Sequence, residues 1–358
     1  MSSTTVSSTY LAGKNLGIAE RVLRAVLVAS AGLLVLAAPA GAQTPPATPN
    51  PPATAEPAAR FKSAVDLVSV TAVVRDKKGR FVPDLRRDDF IVTEGGERRP
   101  IVGFHAEEDG PIRVAVLFDI SGSMRVGTKA VDAKQTARQI FSSLKQGDRA
   151  ALFAFDTQLV KVTDFTTDFK GLESKVDVVD PPFGQTSLYD AIAETAKAIG
   201  SSTNGEKGSP QRAAIVVLTD GIDTKSRLTA PEVSAIASAI DVPVYIVAVM
   251  SPVDDPRNGD YGTGSMSSGL TDLARWTGGD LFIAISPAHA SIAARQIVGE
   301  MRHQYMLAFE ASARSGWRPL EVKARDREFV VRARSGYTAG ASGGASAPDP
   351  GSKRGGAR

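Results

Sequence analysis

Between residues 112 and 303 the sequence alternates short apolar runs with longer stretches of helical periodicity, and few folds accommodate that pattern. The runs 114–118, 150–155, 213–218, 244–249 and 281–284 carry almost no polar residues. Strands exposed on one face alternate in polarity, so uniform runs of this length suit strands buried on both faces. Between them, segments 129–144, 187–199, 231–239, 269–276 and 289–301 space their apolar residues as helices do. Strands alternating with helices predict an α/β fold, a mostly parallel sheet covered by helices on both faces.

The flanks read differently. In 61–110, Val68, Val70, Ala72 and Val74 alternate with neighbours on the other face, and Asp76-Lys77-Lys78-Gly79 supplies a turn. Short strands follow at 89–93 and 99–104, separated by Glu94-Gly95-Gly96. After the central region, 304–340 returns to strands at 305–309, 320–324 and 329–333. Each flank is too small to bury a core of its own. They are expected to pack together as one small β-rich module rather than dock separately on the central domain at 111–303.

The amino-terminal segment 1–42 has the form of a secretory signal peptide. Arg21 and Arg24 precede an apolar run at 25–38, and the small residues Ala40-Gly41-Ala42 come before Gln43. Cleavage there predicts export to the periplasm or the extracellular space; left uncleaved, the same run would be a membrane anchor. Residues 43–60, rich in Pro and Ala, and 341–358, rich in Gly and Ser, cannot bury enough apolar area to fold and are expected to be disordered.

Composition narrows the chemistry. The chain has no cysteine and only His105, His289 and His303, so thiolate sites are excluded and a histidine zinc cluster is not expected. Any metal site must use oxygen, which selects hard cations. Basic and acidic residues number 42 and 39 and are interspersed, with no basic stripe carrying interleaved aromatics, so nucleic acid is not an expected partner.

The first central run ends in Phe118-Asp119-Ile120-Ser121-Gly122-Ser123-Met124. In extended chain, residues two apart point the same way, so Asp119, Ser121 and Ser123 would present three oxygens together, with Gly122 allowing a sharp turn. The carboxyl end of a strand in an open α/β sheet is where ligands bind. These residues resemble the metal-ion-dependent adhesion site of von Willebrand factor A domains, whose first element is Asp-x-Ser-x-Ser. Two further elements match in order: Thr186 within Gly184-Gln185-Thr186-Ser187, ahead of a helix, and Asp220 within Leu218-Thr219-Asp220-Gly221, after a strand. The resemblance covers roughly 112–303 and implies a Rossmann-like domain. It also implies a divalent cation (magnesium, or manganese or calcium) held by Asp119, Ser121, Ser123, Thr186 and Asp220. A narrower similarity joins the flanks, through Val73–Gly79, Asp88–Val92 and Arg334-Ser335-Gly336-Tyr337, to bacterial "VWFA-related" proteins common in acidobacteria.

Two carboxylates would balance the cation's charge, while three hydroxyls are weaker donors. A small cation seeking six oxygens then has room for an outside ligand. In the family, an aspartate or glutamate of a partner protein commonly takes that place, which makes a metal-bridged binding module the expected function. Two other readings stand beside it: a scaffold that the metal only stabilises, and a metal-dependent hydrolase. Against the hydrolase, position 121 is Ser rather than a second carboxylate, and neither a Gly-x-x-x-x-Gly-Lys phosphate loop nor a Gly-x-Ser-x-Gly elbow is present. The candidate ligands also have plain structural alternatives: Ser121, Ser123 and Thr186 as helix caps and Asp220-Gly221 as a turn. Asp223 is either an outer neighbour of the site or a cap, Asp156 is expected to be structural, and the polar stretch 251–268 is expected to be a flexible loop.

Overall fold

The computed structural model describes residues 67–106, 110–180, 184–203, 212–239, 241–251, 268–312 and 315–339. The expected signal peptide, the two segments expected to be disordered and nearly all of the expected loop 251–268 lie outside them.

A six-stranded sheet forms the centre. Its strands are β5 (Ile112–Asp119), β6 (Arg149–Phe155), β7 (Leu159–Thr166), β8 (Arg212–Thr219), β9 (Val244–Val249) and β10 (Leu281–Ala284), in the order β10-β9-β8-β5-β6-β7. All neighbours are parallel except the edge strand β7. Every residue of β5, β8 and β9 is buried. Because side chains alternate across a strand, Val114, Val116 and Phe118 enter one core while Ala115 and Leu117 enter the other.

The first core is closed by α1 (Lys129–Ser142), α2 (Phe169–Val178) and α6 (Pro287–Arg302), and the second by α3 (Leu188–Thr203), α4 (Ala230–Ala239) and α5 (Ser268–Trp276). The sheet is thus covered on both faces, as the sequence predicts. The sequence reading lacks β7 and α2 altogether. It also starts α6 late: Ser286 caps its N-terminus by accepting from the His289 N–H, with Pro287 in the first turn.

The flanks interleave. β1 (Leu67–Asp76) and β4 (Ile101–Ala106) of the amino-terminal flank pair with β11 (Gln304–Glu310) and β13 (Phe329–Ala333) of the carboxyl-terminal one, in the order β13-β1-β11-β4. A second sheet, β14-β12-β2-β3, joins β2 (Phe90–Glu94) and β3 (Glu97–Arg99) to β12 (Gly316–Ala324) and β14 (Gly336–Ala339). All these pairs are antiparallel. The inward residues of both sheets, among them Val70, Ala72 and Val74 of β1, Phe90 and Val92 of β2, and Leu307 and Phe309 of β11, form one shared core. Neither flank could make this sandwich alone.

Candidate metal centre

In the central sheet the chain leaves β5 toward β6 on one side, and later returns through β8 on β5's other side. Crossovers on the two sides run in opposite directions, which opens a crevice beyond the carboxyl ends of β5 and β8. Asp119 ends β5 and Asp220 directly follows β8, so both carboxylates sit at that crevice. Both are buried, as are Ser121 and Thr186.

Local hydrogen bonds fix the first loop. The Ser121 N–H donates to Asp119 Oδ1 at 2.8 Å, and Thr219 Oγ1 donates to Asp119 Oδ2 at 2.6 Å. The hydroxyls of Ser121 and Ser123 meet at 3.1 Å. Extended alternation is not what brings them together: Gly122–Arg125 is a turn of 3-10 helix that folds Ser123 back toward Ser121. Nor does Gly122 take a left-handed conformation. Its N–H donates to the Gly184 carbonyl at 3.0 Å and ties the first loop to the second. The left-handed glycine of this site is Gly221 (φ 82°), where the chain turns away after Asp220.

The second loop is held by the third. The Thr186 N–H donates to Thr224 Oγ1 at 3.0 Å, and the Thr186 carbonyl accepts from the N–H groups of Thr224 and Lys225 at 3.1 and 2.8 Å. Asp223 acts as a cap. Its Oδ1 accepts from the Leu188 N–H at the start of α3, at 2.8 Å, and from the Ser226 hydroxyl at 2.6 Å. Asp156 is structural too, accepting on its carbonyl from the Ser187 N–H and on its carboxylate from the Gln158 N–H.

Two observations show what the crevice is suited to hold. Thr186 Oγ1 is buried without a hydrogen-bond partner, a costly arrangement for a hydroxyl unless something polar fills the space before it. Asp119 is pushed up to about 6 from its usual value, first by burial and further by the charge of Asp220, although Ser121 and Thr219 favour the ionised form. A buried carboxylate held ionised against its desolvation, an unpartnered hydroxyl and a second carboxylate are the donor chemistry of a hard divalent cation. Among the described residues no three His, Asp or Glu side chains are placed to hold a metal, so any site here depends on hydroxyls as well as carboxylates.

Sequence reasoning missed two members of this centre. Thr219 is the hydroxyl that fixes Asp119, and the sequence signals it only by standing beside Asp220. Lys129, the first residue of α1, places Nζ 3.0 Å from Asp220 Oδ2, and both side chains are almost wholly buried. A lysine opening a helix runs against the helix dipole, and that is the sequence signal that could have found it.

Residues 114–222 match the family model of the von Willebrand factor type A domain. This segment is a von Willebrand factor type A domain. The match stops short of both flanks, so their narrower bacterial similarity rests on sequence alone. No curated protein matches the chain. Among similar solved structures is a von Willebrand factor type A protein from Catenulispora acidiphila, 12% identical over 78% of this chain and 76% of that one, with a TM-score of 0.45. Another is an aerotolerance-related membrane protein from Bacteroides fragilis, 18% identical over 53% of this chain and 98% of that one, TM-score 0.42. A third is proximal thread matrix protein 1 from the mussel byssus with a zinc-occupied MIDAS motif, 18% identical over 58% of this chain, TM-score 0.43; the match spans about half of that protein (49%).

Proposed function

We propose that this chain is an exported binding module whose von Willebrand factor type A domain holds a divalent cation on Asp119, Ser121, Ser123, Thr186 and Asp220. In this reading the cation is magnesium, or manganese or calcium, and a carboxylate of a protein partner completes its shell. The observation that carries the reading is the buried, unpartnered Thr186 hydroxyl at a crevice that also holds two buried carboxylates. When bound, the cation supplies a Lewis-acidic centre for an anionic ligand; the chain's own residues orient it and exclude bulk water. Asp119 and Asp220 provide charge, and the three hydroxyls provide neutral oxygens that leave the cation short of donors. Val126 and Ile222 stand exposed on the loops that carry Ser123 and Asp220, giving a partner apolar surface beside the charge. Export is supported by the 1–42 sequence pattern; no described helix is long and apolar enough to cross a membrane.

A second reading is favoured by the depth of the site. Asp119 and Ser121 are 0% exposed, which suits a cation that stabilises the fold without bridging to anything. Selection of peptides from a random display library on the immobilised protein separates the two. Magnesium-dependent capture of peptides bearing Asp or Glu, abolished by chelator and in Asp119→Asn, is the expected result. A magnesium-dependent rise in melting temperature with no metal-dependent capture would leave the stabilising role alone. No response to magnesium, manganese or calcium would remove the cation from both readings.

A further inference from the structure

The contact between Lys129 and Asp220 bears on how a cation would enter. An ammonium buried this deeply loses its hydration, and at the first residue of α1 it also faces the positive end of the helix dipole. Both effects disfavour a lysine, and an adjacent carboxylate offsets them. Asp220 is such a carboxylate: its Oδ2 accepts from Lys129 Nζ at 3.0 Å, while its Oδ1, among the described residues, accepts a long contact from the Ile222 N–H at 3.3 Å. Asp220 is also one of the two carboxylates that must balance a divalent cation. The same oxygen cannot be the full counter-charge of both.

We propose that Lys129 is a resident counter-cation of the metal centre. It neutralises Asp220 in the metal-free protein, yields its contact when a divalent cation binds, and thereby weakens the site for the cation. This inference rests on the cation-binding reading above. Two carboxylates carry two negative charges; a divalent cation with Lys129 beside it carries three positive ones. Among these four groups one positive charge is in surplus, which favours an anionic ligand. Lys129 thus lowers affinity for the cation alone and raises the demand for a carboxylate once the cation is in place.

The test is magnesium titration of the whole exported chain by calorimetry and by melting temperature, for wild type, Lys129→Met, Lys129→Arg and Asp119→Asn. Two unit charges this close in a buried setting interact strongly. Lys129→Met is expected to bind magnesium roughly 10- to 1,000-fold tighter than wild type. Its metal-free melting temperature should fall, with a larger rise on adding magnesium. Lys129→Arg keeps the charge and should bind within about threefold of wild type, well below the tenfold step of 1.4 kcal/mol. Should Lys129→Met not fold, the wild-type protein gives the same answer. The Lys129 ammonium nitrogen resonance should shift on magnesium titration and saturate with the calorimetric binding. Equal magnesium affinity in wild type and Lys129→Met, or an ammonium resonance unmoved at saturation, overturns the role of Lys129 while leaving the cation site standing. Absence of saturable binding in every variant overturns both.

Discussion

Asp119→Asn is expected to make the metal-free protein more stable at pH 7 while abolishing its stabilisation by magnesium. Asp119 is held up at about 6, chiefly by burial. A carboxylate raised in the folded state binds its proton more tightly there than in the unfolded chain, so stability falls as pH rises between the two values and stays low above the folded one. The unfolded value is about 3.9. The cost therefore grows from about pH 4 to pH 6 and is fully present at pH 7, where a shift of about two units corresponds to about 3 kcal/mol. Asparagine carries no charge to desolvate, keeps an oxygen for the Ser121 N–H and offers its amide to the Thr219 hydroxyl. Chemical denaturation in chelator should show the variant and wild type equally stable near pH 4, with the variant ahead by about 2–3 kcal/mol at pH 7. Magnesium should close that gap for wild type and leave the variant unchanged. A variant less stable than wild type at pH 7 in chelator would mean that the ionised carboxylate contributes to the metal-free fold. The same titration fixes the pH dependence of metal binding: protons and cation compete for Asp119, so affinity should weaken as pH falls through about 6.

What the sequence made legible follows from how completely an element is buried. β5, β8 and β9 are buried along their whole length, and their unbroken apolar runs left little else to conclude. β7 escaped notice because it is a half-exposed edge strand whose pairing with β6 shifts register twice, so no clean alternation survives. α2 buries only Leu172 and Val176, too thin an apolar stripe to read as a helix; its Asp168 cap is visible only in hindsight. At the candidate site, Asp119, Ser121 and Ser123 were legible because one loop carries all three. Thr186 and Asp220 were legible only through a family's order of elements. Lys129 left only an indirect trace, a cation at a helix start, and nothing in that trace names the carboxylate 91 positions away against which it is buried. The shared sandwich was legible as a need for partners between flanks, but not as a particular strand order.

Glu300→Ala is expected to weaken the junction between the two halves of the structure. Glu300 lies on α6, almost wholly buried, and pairs with Arg75 of β1 at 2.8 Å and with Arg332 of β13. Arg332 also pairs with Asp280, ahead of β10, and Arg75 lies 4.2 Å over the ring of Phe81, which stacks on His303 at 4.4 Å. Beside this clasp α6 runs through His303 into β11, so one helix end carries a covalent connection as well as this ionic one. Removing one partner of a buried ion pair costs about 3–5 kcal/mol because the other charge stays buried. Arg75 and Arg332 keep about a quarter of their surface in water (26% and 23%), which relieves part of that cost. A loss of about 2–4 kcal/mol is the expected result. The chain's two tryptophans report it separately, Trp276 in α5 and Trp317 in β12. In single-tryptophan variants the wild-type denaturation curves should coincide, and Glu300→Ala should move both to lower denaturant. Replacing Arg75, Arg332 and Glu300 together by methionine should restore most of the loss, because an apolar set of similar volume leaves no buried charge unpaired; Asp280, released from Arg332, is 42% exposed. If Glu300→Ala moves neither curve, the clasp is a solvated pair of no structural weight, and packing, chain continuity and the contacts of Asp241 with Thr71 and Arg334 hold the sandwich to the domain.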